Sequence, residues 1–215
     1  MKKSELIKNA LFNSFSEKEF QECINKLKTV QLSANKIIAN QGDEVQCFFI
    51  ILSGKVEVYS YDLRGNKKMV TIFQEGDLFA ESVVLGTERM SPFFIETKSG
   101  AEVLRISPDE IFNQSYSVKL IGNLIRIIAT KNQFLTHKIE CLDKNTIEER
   151  IYEVLNYYRL KQHSFLVTLP YNKTQLAEYL SVNRSALSRE LSNMEKKGIF
   201  KSKKNQYSLN PEYFK

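Results

Sequence analysis

Residues 117–142 read as one long helix with two apolar faces, and that feature constrains the rest of the chain. Ile121, Ile128, Leu135 and Leu142 stand seven apart, and Ile125, Asn132 and Ile139 fall four residues after the first three. This spacing is the a/d seam of a coiled coil, with one polar residue, Asn132, inside it. A second row, Leu120, Leu124, Ile127 and Phe134, lies on another side of the same helix. A helix apolar on two sides has to bury both. A second copy of the chain on the seam, with a β domain against the other row, achieves this. A core helix within a monomer is the alternative.

Upstream the hydrophobic period changes. Between residues 28 and 106, β-rich runs (Cys47 to Leu52, Val56 to Tyr59, Val70 to Phe73) are separated by turn signals at Gly42, Gly54, Gly65, Gly76 and Gly100. Val56 and Val58, with Glu57 on the opposite face, show the alternation of a half-buried strand. Short strands with regularly spaced turns predict a sandwich or small barrel whose interior can hold a ligand. Ser107-Pro108-Asp109-Glu110 is a capping box that opens a short helix.

Downstream, Asp143-Lys144-Asn145 marks a hinge, and Thr146 with Glu149 caps a further helix running to about Lys161. A strand over 165–169 and Pro170 lead into two closely spaced helices. Leu176, Ala177 and Leu180 form the buried stripe of the first, and Leu187, Leu191 and Met194 that of the second. Ser181-Val182-Asn183 is the turn between them, with Val182 directed inward and Asn183 in N-cap position. The pattern is a helix-turn-helix, and it leaves Arg184, Ser185, Ser188 and Arg189 on the polar face of its second helix. Behind it, residues 198–209 fold back as a hairpin wing carrying Lys203 and Lys204, which suit phosphate contacts. Lys173 and Thr174, at the start of the first helix, complete the expected DNA-binding set.

Charge placement agrees. Residues 1–142 hold 18 Lys and Arg against 17 Asp and Glu, whereas the last 35 residues hold eight against three. A basic excess confined to one end is the footprint of a polyanion-binding surface, with a merely solvated lysine-rich tail as the alternative on charge alone.

The run Arg184-Ser-Ala-Leu-Ser-Arg-Glu-Leu191, the long helix before it and Glu75-Gly-Asp-Leu-Phe-Ala-Glu-Ser82 resemble the Crp/Fnr family of bacterial regulators. The resemblance covers nearly the whole chain. It implies an α+β fold: an N-terminal cyclic-nucleotide-binding-like β-roll (a double-stranded β-helix or jelly-roll), a long dimerisation helix and a C-terminal winged helix-turn-helix. The expected divisions are 1–115, 116–142 and 143–215. By the same likeness Arg184 and Arg189 match the two arginines of the recognition helix, Arg189 being the guanine reader. Ser188 matches the serine of the Fnr branch. Ser185 departs from the usual glutamate, and Ser181 from the usual glycine of the turn. The implied partners are double-stranded DNA, a second copy of the chain, and RNA polymerase for an activator.

In the sensor the resemblance places the effector at Glu81, Ser82, Arg89 and Ser91. Ala80 stands where glycine is expected, and Met90 splits the Arg-Ser pair that holds a cyclic phosphate. A displaced arginine removes the main source of phosphate affinity, which argues against cyclic AMP. A roll with no ligand of its own is the bland reading. An Fnr-type iron–sulfur cluster needs four thiolates, and this chain has three scattered cysteines, Cys23, Cys47 and Cys141. Haem, held by Met69 and His137, is an alternative. No Walker loop, HExxH or GxSxG appears, so an enzyme is not expected. No apolar run approaches the roughly 20 residues that span a bilayer. With free cysteines and no signal-peptide core, a cytoplasmic protein without membrane contact is expected.

Overall fold

The computed structural model describes residues 2–112 and 114–214. The chain forms two compact units, Met1–Ala129 and Thr130–Lys215. The first contains two short 3-10 helices, α1 (Glu17–Lys26) and eight strands. The strands are β1 (Lys28–Leu32), β2 (Ile37–Ala39), β3 (Phe48–Ser53), β4 (Val56–Tyr61), β5 (Lys67–Phe73), β6 (Leu78–Phe79), β7 (Phe94–Thr97) and β8 (Ala101–Ile106). They make two four-stranded sheets, ordered β1-β8-β3-β6 and β2-β7-β4-β5, and every strand pairing is antiparallel. The expected β-roll is therefore present. Phe48, Ile50, Val56, Phe79, Ile95 and Leu104, drawn from both sheets, lie in one apolar cluster.

The alternation expected in β4 needs one amendment. Glu57 does lie on the face opposite Val56 and Val58, yet it is only 4% exposed. Lys67 on β5 and Lys98 just beyond β7 each bring an ammonium within 3.1 Å of its carboxylate. Burial raises the pKa of this carboxyl, but the two lysines outweigh it and leave it below its ordinary value.

Two short helices follow, α2 (Glu81–Val84) within the roll and α3 (Pro108–Phe112) after it. Half of the predicted box at α3 forms: Glu110 accepts from the Ser107 N–H at 2.6 Å, while the Glu110 N–H turns to the Ser107 carbonyl. The long helix, α4, runs Ser117–Asp143. Leu120 and Leu124 are buried in the core of the first unit, with Ile121, Ile127 and Ile128 packed against it. Asn123 donates from Nδ2 to the carbonyls of Leu11 and Asn13, at 3.0 and 2.6 Å, fastening the N-terminal segment to α4. Phe134 does not join that core; its ring meets Tyr179 in the second unit. On the seam, Ile125, Leu135 and Ile139 are 61, 54 and 68% exposed, Asn132 is exposed, and Leu142 is half-buried.

The second unit adds α5 (Ile147–Gln162), β9 (Leu166–Thr168), α6 (Lys173–Tyr179), α7 (Arg184–Lys196), β10 (Phe200–Lys203) and β11 (Gln206–Leu209). Both halves of the capping box at Thr146 and Glu149 form. A three-stranded sheet, β10-β11-β9, backs the helices. Leu176, Ala177, Leu180, Leu187, Leu191 and Met194, the two predicted stripes, all belong to its core. Among the described residues no helix is long and apolar enough to cross a membrane.

Candidate nucleic-acid interface and effector region

The reading surface is assembled by capping and turn chemistry. Asn172 caps α6: its Oδ1 accepts from the N–H groups of Thr174 and Gln175, each at 3.0 Å, and Gln175 Oε1 accepts from the Asn172 N–H at 2.9 Å. The sequence signal for this box is the Asn-x-x-Gln spacing of Asn172 and Gln175. Beyond α6, the Val182 N–H reaches back to the Ala177 carbonyl at 2.9 Å, and Ser181 takes a left-handed φ of +53°. Glycine would adopt that conformation without strain. Asn183 has the extended backbone of an N-cap, but its side chain makes no capping bond to α7.

With Leu187, Leu191 and Met194 turned inward, Arg184, Ser185 and Arg189 face solvent and Ser188 is half-buried. The wing ends in a tight turn in which Lys203 pairs with Gln206 and Lys204 has φ +58°. Asn205 pins this turn to the segment before α6, donating from Nδ2 to the Leu169 carbonyl at 2.8 Å and accepting from the Leu169 N–H at 2.9 Å. The pin brings Lys204 over the start of α6. A cleft of 470 Å³ results, lined by Lys173 and Thr174 of α6, Arg184 of α7 and Lys204 and Asn205 of the wing. Three elements thus contribute cations to one concave surface. Ser185, Ser188, Arg189 and Lys203 lie outside its lining.

A roomier cleft of 830 Å³ lies elsewhere in this unit, bordered by Lys144, Glu148, Glu153, Lys197 and Tyr213. Its lysines are neutralised, Lys197 by Glu148 at 2.7 Å and Lys144 by Glu153 at 3.6 Å. The smaller cleft is the better polyanion site, because charge rather than volume decides.

In the β-roll the four predicted effector residues divide. Ser82 and Arg89 border a surface cleft of 590 Å³, with Thr87, Glu88 and Met90. Glu81 and Ser91 are buried instead. The Ser91 hydroxyl donates to the Phe93 carbonyl at 2.6 Å, and its N–H donates to the Asp43 carbonyl at 2.9 Å. Arg89 has φ +26°, and its carbonyl accepts from the Val45 N–H at 2.8 Å. Ala80, at φ +66°, is the left-handed residue leading into α2, the place where glycine was expected.

Met69 and His137 stand in different units. Met69 is a half-exposed residue of β5 paired with Tyr59. His137 is buried in the second unit, with the Tyr179 hydroxyl 2.9 Å from Nδ1 and the Cys141 sulfur 3.5 Å from Nε2 and 3.8 Å from Nδ1.

Two family models match the chain, the cyclic nucleotide-binding domain over residues 29–114 and the Crp-like helix-turn-helix domain over 149–213. The chain belongs to the Crp/Fnr family of bacterial transcription regulators. Solved structures of the same fold include the Thermus thermophilus catabolite activator protein, 19% identical, with TM-score 0.56 over 94% of this chain and 93% of that one. CooA of Carboxydothermus hydrogenoformans is similar, at 19% identity and TM-score 0.57 over 90% of this chain and 88% of the other. The c-di-GMP-responsive regulator CLP of Xanthomonas campestris is 14% identical, with TM-score 0.53 over 88 and 97%. Among curated proteins, the cGMP-dependent protein kinase egl-4 of Caenorhabditis briggsae is 28% identical over 121 residues. That match takes in 55% of this chain, which spans only 15% of the kinase. Fold and family are those of transcription regulators: a DNA-binding helix-turn-helix joined to a domain of the small-molecule-binding kind.

Proposed function

We propose that this regulator binds an inverted-repeat promoter site as a homodimer, and that a small-molecule effector at the β-roll sets its affinity. The observation that carries the reading is the joint placement of Lys173, Arg184 and Lys204 around one cleft beside the exposed Arg189. A cationic concavity next to an arginine-bearing helix face suits a phosphate backbone flanking a major groove. Lys203, Thr174, Asn183, Ser185 and Ser188 supply the remaining polar contacts. The exposed Ile125, Leu135 and Ile139 support the dimer, since a second α4 would cover them. Ile121, Ile128, Asn132 and Leu142 complete that seam.

On this reading 1–115 is the sensor, 116–142 the dimerisation helix and 143–215 the reading head, working in the cytoplasm with RNA polymerase. The effector is proposed at the cleft of Ser82 and Arg89, with Glu81 and Ser91 holding the segment from behind. Contacts to a segment that differs between two states can shift a DNA-binding equilibrium. The test is selection of bound duplexes from a random pool, followed by affinity measurements on the selected site. An inverted repeat with half-sites about one helical turn apart is expected. Recovery of no common sequence would refute sequence-specific reading.

A further inference from the structure

The end of α4 is joined to α6, the first helix of the helix-turn-helix, by a buried polar contact. His137, 5% exposed, has Nδ1 2.9 Å from the Tyr179 hydroxyl. Its ring lies against Tyr157 of α5 with centroids 3.9 Å apart, and Cys141, one turn further along α4, sets its sulfur 3.5 Å from Nε2. Tyr179 is the last residue of α6. Phe134 and Lys138 of α4 flank its ring at 5.6 and 5.7 Å, and Tyr171 stacks on it at 5.0 Å. Tyr171 accepts from the Tyr158 hydroxyl at 3.3 Å and borders the cationic cleft beside Lys173 and Arg184. An unbroken series of contacts thus runs from α4 to the cleft.

We propose that the hydrogen bond between His137 and Tyr179 is a positioning contact for DNA reading, fixing the register in which α4 presents α6 and the cleft. Ring packing alone tolerates sliding, because aromatic pairs accept a range of offsets. A hydrogen bond weakens steeply with misalignment. Displacing either ring pulls two buried polar groups off a 2.9 Å partner and leaves the weaker Cys141 sulfur as the nearby alternative. The contact therefore gives α4 one preferred register against α6. The inference rests on the dimeric reading above: if two heads are carried on paired α4 helices, this register sets their separation along the duplex. Half-site spacing is then the property that His137 and Tyr179 control.

The test uses the full chain and the inverted repeat it selects, together with duplexes whose half-sites are one base pair closer or further apart. The unaltered protein should prefer the selected spacing. Tyr179→Phe keeps the ring and removes the hydroxyl. It should bind the selected spacing about tenfold more weakly while binding the altered spacings as before. His137→Phe should do the same, and the double variant should lose no more than either alone. Spacing preference retained in both variants overturns the proposal, and so does an equal loss on every spacing, the signature of a generally loosened fold. If His137→Phe does not fold, as judged by circular dichroism melting, Tyr179→Phe decides alone. An unaltered protein with no inverted-repeat preference overturns the dimeric reading and this proposal with it.

Discussion

In the winged helix-turn-helix, Arg184, Ser185 and Arg189, set aside by the motif for DNA, all stand in solvent. In the 80–91 segment of the β-roll, two of the four corresponding residues, Glu81 and Ser91, are turned inward. The difference lies in the kind of backbone that carries each set. A helix keeps a fixed angle per residue, so burying Leu187, Leu191 and Met194 obliges Arg184, Ser185 and Arg189 to face out, with Ser188 at the edge of that face. The β-roll segment has no such periodicity. Left-handed Ala80 and Arg89 reset the chain direction at two points, and spacing along the sequence no longer tells which side chains share a surface. Reading heads of this kind are thus legible as motifs, whereas effector segments are not.

The largest effect expected comes from the apolar seam on α4, whose residues fall in both units. Ile139 lies in the second unit and Ile128 packs on the core of the first. Ile139→Asp should weaken dimerisation by at least about 100-fold, because a charge would be buried unpaired, with unit melting unchanged. Ile128→Asp should lose the dimer and also lower the melting point of the first unit. Sedimentation with parallel calorimetry checks both, and a dimeric Ile139→Asp chain would move the interface elsewhere.

Next in size is Arg189→Ala, expected to cost about 1–3 kcal/mol per half-site and to relax preference at one base pair. Lys204→Ala should instead weaken all sequences alike and flatten the salt dependence by about one unit. Equal loss on selected and random DNA for Arg189→Ala would make it a phosphate contact and erase the distinction between helix face and cleft.

Acid should separate the units. Burial holds the His137 imidazole below its ordinary 6.5, against the opposing pull of Glu153 and Glu140. The unfolded chain then takes up a proton more readily than the folded one, so the second unit loses stability as the pH falls through 6.5. Glu57, in the first unit, is held below 4.5 by Lys98 and Lys67 despite its burial. The stabilisation from its ion pairs is present above 4.5 and is lost only as the pH falls further. Hydrogen exchange between pH 7 and 4 should therefore show Thr130–Lys215 loosening first; the reverse order would contradict both assignments.

The smallest effects concern the two left-handed residues that stand in place of glycine. Ser181 is exposed, so Ser181→Gly should relieve strain at no packing cost and stabilise by up to about 0.5 kcal/mol. Ala80 is half-buried against the first core, so Ala80→Gly should gain less. Thermal melts decide, and a loss above about 1 kcal/mol at Ser181 would rule out its left-handed turn.

Local rules acting over a few residues account for the parts of the fold that can be read from the amino-acid sequence. The β-roll strands, the long helix expected over 117–142, the Thr146 capping box and both buried stripes of the helix-turn-helix follow from period, caps and turn residues. The outward face of Arg184 and Arg189 follows from them too. Which distant groups meet is set by the packing of the folded chain. It buried Glu57 between Lys67 and Lys98, turned Phe134 and His137 onto Tyr179, and hung Lys204 over Lys173 through the Asn205 pin. Each of these joins residues from separate elements, and periodicity carries no record of such pairs. Their geometry is set by how cores pack and by the requirement that buried polar groups find partners.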